Sequence, residues 1–176
     1  MAIYEFEGRI PCIGEDTYIH PTATVLGKVS IGKGCWIGPG ASIRGDYGEI
    51  LIGDCTSIEE NCVIHARPNE RTEIGNWVTI GHAAVIHNAT VRDYAVIGMR
   101  AVVSDWAIVG VWAVVAEGAV VCQSQEVPNG KIAVGVPTRL LEKDVNDEYK
   151  AQWTHFKEIY VDLARRYPDG LKLIQP

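Results

Sequence analysis

An aliphatic residue recurs at every sixth position through most of residues 15–125, and a small residue often follows it four positions later. Because six is an even number, residues six apart lie on the same side of an extended strand, whereas six is a poor period for a helix. Isoleucine and valine also favour strands. The spacing therefore predicts a series of short strands. The aliphatic anchors are Ile19, Val25, Ile31, Ile37, Ile43, Ile52, Ile58, Ile64, Ile74, Ile80, Ile86, Val91, Ile97, Val103, Val109, Val115 and Val121.

One such strand cannot bury its apolar side alone, so the repeats are expected to stack as the coils of a parallel β-solenoid, an all-β fold. Three segments break the rhythm: RGDYGEIL after Ile43 and HARPNERTE after Ile64 lengthen it, and IHNAT before Val91 shortens it by one residue. Loops that leave a rigid scaffold often carry function. These three segments are therefore where a functional site is expected.

The hydrophobic period changes after Val145. Aromatic and aliphatic residues then recur at alternating spacings of four and three, which is typical of an amphipathic helix. Asp144 or Asn146 can cap this helix, and Pro168 with Gly170 can end it. We therefore divide the chain into a β-helix domain over residues 1–135 and a C-terminal helix and tail over 136–176, with the helix packed on one face of the β-helix. The apolar stripe consists of Tyr149, Trp153, Phe156, Tyr160, Leu163 and Tyr167.

Composition excludes several classes of function. The chain has 176 residues and a formal net charge of −6, and no cluster of lysine and arginine suggests a nucleic-acid or anionic-membrane partner. No segment reaches the length of a membrane span, and the acidic N-terminal stretch does not look like a secretory signal, so we expect a cytoplasmic protein. Five cysteines without a CxxC pair favour reduced thiols over disulfides or a thiolate zinc site.

Two histidines directly follow anchors on the same face of successive coils. If every third repeat shares a face, His65 and His87 are neighbours about 4.8 Å apart at the backbone, and Arg44 extends the same column. His82 lies on the next face, so its side chain diverges from the pair. A copy related by a threefold axis would place its own His82 opposite the pair. The alternative is that each histidine is separately a surface or hydrogen-bonded residue.

The long hexapeptide pattern resembles the hexapeptide-repeat proteins, which fold as a left-handed parallel β-helix. Within that group, RGD at 44–46, IH at 64–65 and GHAAVIH at 81–87 together resemble the γ-class carbonic anhydrases and their relatives, among them phenylacetate-degradation, carnitine-operon accessory and ferripyochelin-binding-like proteins. The resemblance implies a homotrimer in which His65 and His87 of one subunit and His82 of the next bind Zn²⁺, or alternatively Fe²⁺ or Co²⁺. It implies a lyase activity, the reversible hydration of CO₂ to bicarbonate by a metal-bound hydroxide.

The same resemblance assigns supporting roles to four further residues. Arg44 and Asp46 match the family's RGD, whose charged residues join an ion-pair network between subunits. Glu59 and Glu60 stand where relatives usually carry Gln and Asp, and an ionised Glu accepts hydrogen bonds but cannot donate them. This difference predicts slow turnover.

Three alternatives stay open from the sequence. Many hexapeptide-repeat proteins are acyltransferases that use one histidine as general base, and a thioesterase acting on acyl-CoA would use the same metal-bound hydroxide. VGVPTRLLE at 134–142 resembles a C-terminal element found across both groups, so it does not discriminate between them. A catalytically weak, metal-stabilised accessory protein fits it as well.

Overall fold

The computed structural model describes residues 2–175, which form one long array of short strands followed by a single helix. The helix, α1, covers Asp147–Gly170. The strands are β1 Ala2–Tyr4, β2 Cys12–Ile13, β3 Tyr18–Ile19, β4 Thr24–Ile31, β5 Trp36–Ile37, β6 Ser42–Ile52, β7 Ser57–Ile58, β8 Val63–His65, β9 Arg71–Ile74, β10 Thr79–Ile80, β11 Val85–His87, β12 Thr90–Val91, β13 Val96–Ile97, β14 Val102–Val103, β15 Ile108–Val109, β16 Val114–Val115, β17 Val120–Val121, β18 Glu126–Val127, β19 Ile132–Val134 and β20 Arg139–Leu140.

The strands stack into three faces of a parallel β-solenoid. The histidine face runs β6–β8–β11–β14–β17, the third face runs β6–β9–β12–β15–β18, and the helix face runs β3–β5–β7–β10–β13–β16–β19. The long strand β6 bends around a corner, because its first part pairs with β8 and its last part with β9. Among the strands named above, only β19 and β20 pair in antiparallel fashion; an isolated antiparallel bridge also joins Phe6 and Arg9. The predicted parallel solenoid is confirmed.

The core is a column of anchors with small residues between them. The anchors Ile43, Ile64 and Ile86 are fully buried, and so are the small residues Cys62 and Ala84 that follow four positions after an anchor. Cys35 and Cys62 are free thiols inside this core, and burial raises the pKa of each, to about 11 and about 12 respectively. These cysteines therefore act as small apolar residues.

Helix α1 packs on the helix face, as predicted. Asn146 is its N-cap, and the side-chain oxygen of Asn146 accepts a hydrogen bond from the backbone N–H of Tyr149 at 2.9 Å. The helix passes through Pro168 and ends at Gly170. Two apolar clusters hold the helix on the sheet. One contains Tyr18, Trp36, Ala164, Tyr160, Leu163 and Tyr167, and the other contains Val96, Val114, Val145, Ile132, Tyr149 and Trp153.

Along residues 2–175, no helix is both long enough and apolar enough to cross a bilayer.

Candidate active site

The histidine face carries a stacked pair of imidazoles. His65 ends β8 and His87 ends β11, and the two residues are partners in the parallel register of these strands. Arg44 pairs with His65 one coil earlier. The ring centroids of His65 and His87 lie 5.3 Å apart with 49° between their planes. The stacking that the six-residue count predicts is therefore present.

Asp46 holds the first histidine of the pair. Nε2 of His65 lies 3.0 Å from Oδ1 of Asp46, and Arg44 forms an ion pair with the same carboxylate. Burial works against ionisation of Asp46, but its hydrogen bonds with His65 and Arg44 outweigh that effect and lower its pKa. Burial also lowers the pKa of His65, which is only 6% exposed. The pair is thus an ionised carboxylate beside an imidazole that favours its neutral form.

Asp105 holds the second histidine. Its Oδ1 lies 2.5 Å from Nδ1 of His87, and its Oδ2 accepts a hydrogen bond from the guanidinium of Arg67 at 2.6 Å. The bond from Arg67 is the largest cause of the lowered pKa of Asp105. Arg67 in turn lies over the ring of Trp106, 4.9 Å from its centroid. The orientation of His87 therefore depends on a chain of contacts that reaches the next coil.

His82 follows β10 at the edge of the helix face and lies between two carboxylates. Its Nε2 is 3.0 Å from Oε2 of Glu59, and its Nδ1 contacts Oε2 of Glu60. The backbone N–H of His82 also donates to Glu59 at 3.2 Å. The side chain of His82 is 46% exposed and that of Glu59 is 8% exposed, so the imidazole faces outward from a buried carboxylate.

Helix α1 supplies two polar groups beneath His82. Tyr160 lies beside Glu59 in the wall of a groove between α1 and the helix face. Nζ of Lys157, which is 2% exposed, donates to Oγ1 of Thr79 at 3.0 Å and to the carbonyl oxygen of Ala95 at 3.3 Å. Burial raises the pKa of Glu59 and lowers the pKa of Lys157 to about 7. The helix therefore places a buried amine and a phenol close to the buried carboxylate that His82 contacts.

The histidines and carboxylates of the two groups are donor types that bind divalent metal ions. Within residues 2–175 of a single chain, no group of three or more His, Cys, Asp or Glu side chains is arranged to hold a metal ion. The histidine face offers His65 and His87, each with a carboxylate at one ring nitrogen, which is the usual setting of a metal-binding imidazole. His82 has carboxylates at both ring nitrogens, so one of them must move aside before His82 could bind a metal.

The structure places the seven residues singled out from the sequence in two groups. Arg44, Asp46, His65 and His87 lie together on the histidine face, and Glu59, Glu60 and His82 lie together beside the helix face. Sequence reasoning missed Asp105, Arg67, Tyr160 and Lys157. Asp105 lies two residues after an anchor in the coil that follows His87, so the same count could have found it. Lys157 interrupts the apolar stripe of α1, which is a signal for a buried charge.

Comparison with known proteins places the chain among hexapeptide-repeat proteins. The family model described as bacterial transferase hexapeptide (six repeats) matches residues 13–45. The carnitine operon protein CaiE of Salmonella typhimurium is 34% identical over 176 residues, which is 100% of this chain and 88% of that protein. CaiE of Salmonella newport matches with the same identity and coverage.

Two solved structures share nearly the whole fold. A Bacillus cereus protein provisionally assigned as an acetyltransferase superposes with a TM-score of 0.91 at 26% identity, covering 94% of this chain and 96% of that chain. A hexapeptide transferase family protein from Anaplasma phagocytophilum superposes with a TM-score of 0.89 at 30% identity, covering 94% of this chain and 98% of that chain.

Proposed function

Since this chain belongs to the family of hexapeptide-repeat proteins that includes the carnitine operon protein CaiE, we propose that it is a γ-class carbonic anhydrase-like enzyme. In this proposal it catalyses the reversible hydration of CO₂ to bicarbonate at a metal site between the subunits of a homotrimer. His65 and His87 of one subunit and His82 of the next hold the metal.

The register of His65 with His87 is the observation that carries this proposal. A single catalytic base, as an acyltransferase uses, gives no reason for a second imidazole directly above the first. Each of the two imidazoles also has its own carboxylate, Asp46 and Asp105. Such outer carboxylates fix the ring orientation and the tautomer of a metal ligand.

An apolar column on the histidine face supports association with further copies of the chain. Val63, Val85, Val102 and Val120 occupy the outward position before successive anchors on this face. Val63 is 41% exposed, and the other three are half-buried. The column runs beside the histidine pair, and a neighbouring subunit that covers it would bring its exposed His82 towards His65 and His87.

The divalent cation, once bound, supplies a nucleophile at neutral pH by lowering the pKa of a water molecule to about 7. The residues of the chain orient the three imidazoles and carry away the proton that hydration releases. Arg67 holds Asp105 against His87, and the buried carboxylate of Glu59 contacts both the ring and the backbone N–H of His82. Glu60 contacts His82 from the solvent side and is placed to pass that proton outward.

Metal analysis and a CO₂ hydration assay test the proposal. Protein purified without chelator and loaded with Zn²⁺ or Fe²⁺ is expected to hold about one metal per subunit interface and to hydrate CO₂. The His82→Ala variant should lose the metal and form a weaker trimer. His155→Ala is the matched control, since His155 lies exposed on α1 away from the site. An unchanged metal load in His82→Ala would refute the role of His82.

Acyl transfer is the second candidate, because the similar structures include a hexapeptide transferase family protein and a provisionally assigned acetyltransferase. In that case one histidine acts as a general base and the acceptor attacks an acyl-CoA. Turnover of acyl-CoA by metal-free protein would favour this candidate over CO₂ hydration.

A further inference from the structure

A groove of about 600 Å³ runs between α1 and the helix face and begins at the candidate active site. Its polar end contains Glu59, His82 and Tyr160. Its body lies between the aliphatic side chains of the helix face, such as Val96 and Val114, and the aromatic side chains of α1. Ligand sites in proteins commonly span about 300–1,000 Å³ and are mostly apolar with a few polar groups at one end.

The groove is far larger than CO₂ requires. A triatomic molecule fills on the order of one or two water volumes of about 30 Å³ each. The aromatic wall is continuous, because the ring centroids of Tyr149 and Trp153 lie 5.8 Å apart and those of Trp153 and Phe156 lie 5.7 Å apart. Phe156 and Met99, which also line the groove, are 40% and 48% exposed. A long apolar group could therefore lie against them and shield them from water.

The charges along the groove narrow the class of ligand. Among the described residues, the lining includes Glu59 and Glu117 but no arginine or lysine. The nearby amine of Lys157 is turned away into hydrogen bonds with Thr79 and Ala95. A free carboxylate would meet like charge here without a cationic partner, whereas an uncharged carbonyl compound would not.

We propose that this groove binds the apolar acyl chain of an ester or thioester substrate, with the carbonyl group at Glu59, His82 and Tyr160. The reaction at that end is hydrolysis: water adds to the carbonyl carbon, the alkoxide or thiolate leaves and takes up a proton, and the carboxylic acid loses its proton to solvent. The hydrolytic step rests on the proposed function, because it uses the same activated water. Binding of the acyl chain in the groove does not depend on the proposed function.

Straight-chain methyl ketones serve as uncleavable carbonyl ligands, and their binding is measured calorimetrically for chains from four to nine carbons. Burial of each added methylene should tighten binding up to about fourfold until the groove is full. Ala116→Phe fills the groove from its wall and should abolish this gain. Ala151→Phe, the same change at an exposed position of α1, should preserve it.

Hydrolysis of 4-nitrophenyl esters of increasing acyl length by the metal-loaded protein should follow the same trend in kcat/KM. Ketone affinity that does not change with chain length, or a gain that survives in Ala116→Phe, would overturn the proposal. If ketones bind with the expected gain but the protein neither holds metal nor hydrates CO₂, the groove stands and the proposed function fails. If the protein hydrates CO₂ but ketone affinity does not rise with chain length, the proposed function stands and the groove proposal fails.

Discussion

Replacement of Lys157 by methionine should stabilise the protein at neutral pH and remove part of the pH dependence of its stability. Lys157 is 2% exposed, and its ammonium group has hydroxyl and carbonyl oxygens as partners at 3.0 and 3.3 Å. The carboxylate of Glu59 favours the charged form, but burial outweighs it and lowers the pKa from 10.5 to about 7. Methionine has a similar length and removes the buried amine.

The direction in which Lys157 changes the free energy of unfolding with pH follows from the protons that the folded and unfolded states bind. The unfolded chain binds a proton at Lys157 up to its ordinary pKa, whereas the folded chain releases it above about pH 7. The residue therefore destabilises the fold most strongly below about pH 7 and progressively less between pH 7 and 10.5. The full penalty is on the order of 4–5 kcal/mol and fades as the pH rises towards 10.5. Methionine loses the hydrogen bond to Thr79, which costs about 1 kcal/mol. The carbonyl of Ala95 keeps its bond from the backbone N–H of Thr79.

Urea unfolding at fixed protein concentration, at pH 7.0 and pH 8.5, tests the argument. We expect Lys157→Met to be more stable than the wild type by about 3 kcal/mol at pH 7, with this advantage about 1.5 kcal/mol smaller at pH 8.5. The buried cysteines and tyrosines titrate in both proteins, so their effect cancels in the difference between the two free energies of unfolding. Lys143→Met, at an exposed position, should retain the pH dependence of the wild type. A variant that is less stable at pH 7, or an advantage that does not change with pH, would refute the reasoning.

Three further changes test the site and the helix. Glu59→Gln should raise kcat/KM for CO₂ hydration several-fold in stopped-flow assays, because an amide both donates and accepts hydrogen bonds; an unchanged or lower rate at full metal load would count against this. Asp105→Asn should weaken metal binding by about 10- to 100-fold in a chelator competition, since it loosens the hold on His87; equal affinity would show that Asp105 does not act through the metal. Asn146→Ala should lower the free energy of unfolding by about 1 kcal/mol through loss of the N-cap; an unchanged urea midpoint would contradict the capping role.

The six-residue repeat made most of the fold predictable, together with the relative placement of the candidate-site residues that the solenoid itself carries. An even period fixes both the face and the register of every strand, so counting from Ile64 to Ile86 is enough to stack His65 on His87. The same count places Glu60 beside His82, and the structure shows that contact. Few folds give long-range neighbours from sequence spacing alone, and a solenoid does so because each coil contacts only the coils next to it.

The contribution of α1 could not be predicted in the same way. An amphipathic pattern indicates that a helix buries one face, but it does not indicate which strands it covers or at what height along the solenoid. Lys157 contacts Thr79, and Tyr160 lines the same groove as Glu59, only because the aromatic stripe of α1 packs at one particular place on the helix face. The helix therefore adds the buried polar groups and the groove that the repeat alone does not reveal.

Mixed trimers test the central claim, a metal held by histidines of two subunits, most directly. His82→Ala and His87→Ala subunits are each purified, unfolded, mixed in equal amounts and refolded together. Neither variant alone should bind metal, but every mixed ring has one interface at which an intact His65–His87 pair meets an intact His82. Metal analysis of the mixture should therefore recover about a quarter of the wild-type load. A mixture as empty of metal as its two parents would contradict a site shared between subunits.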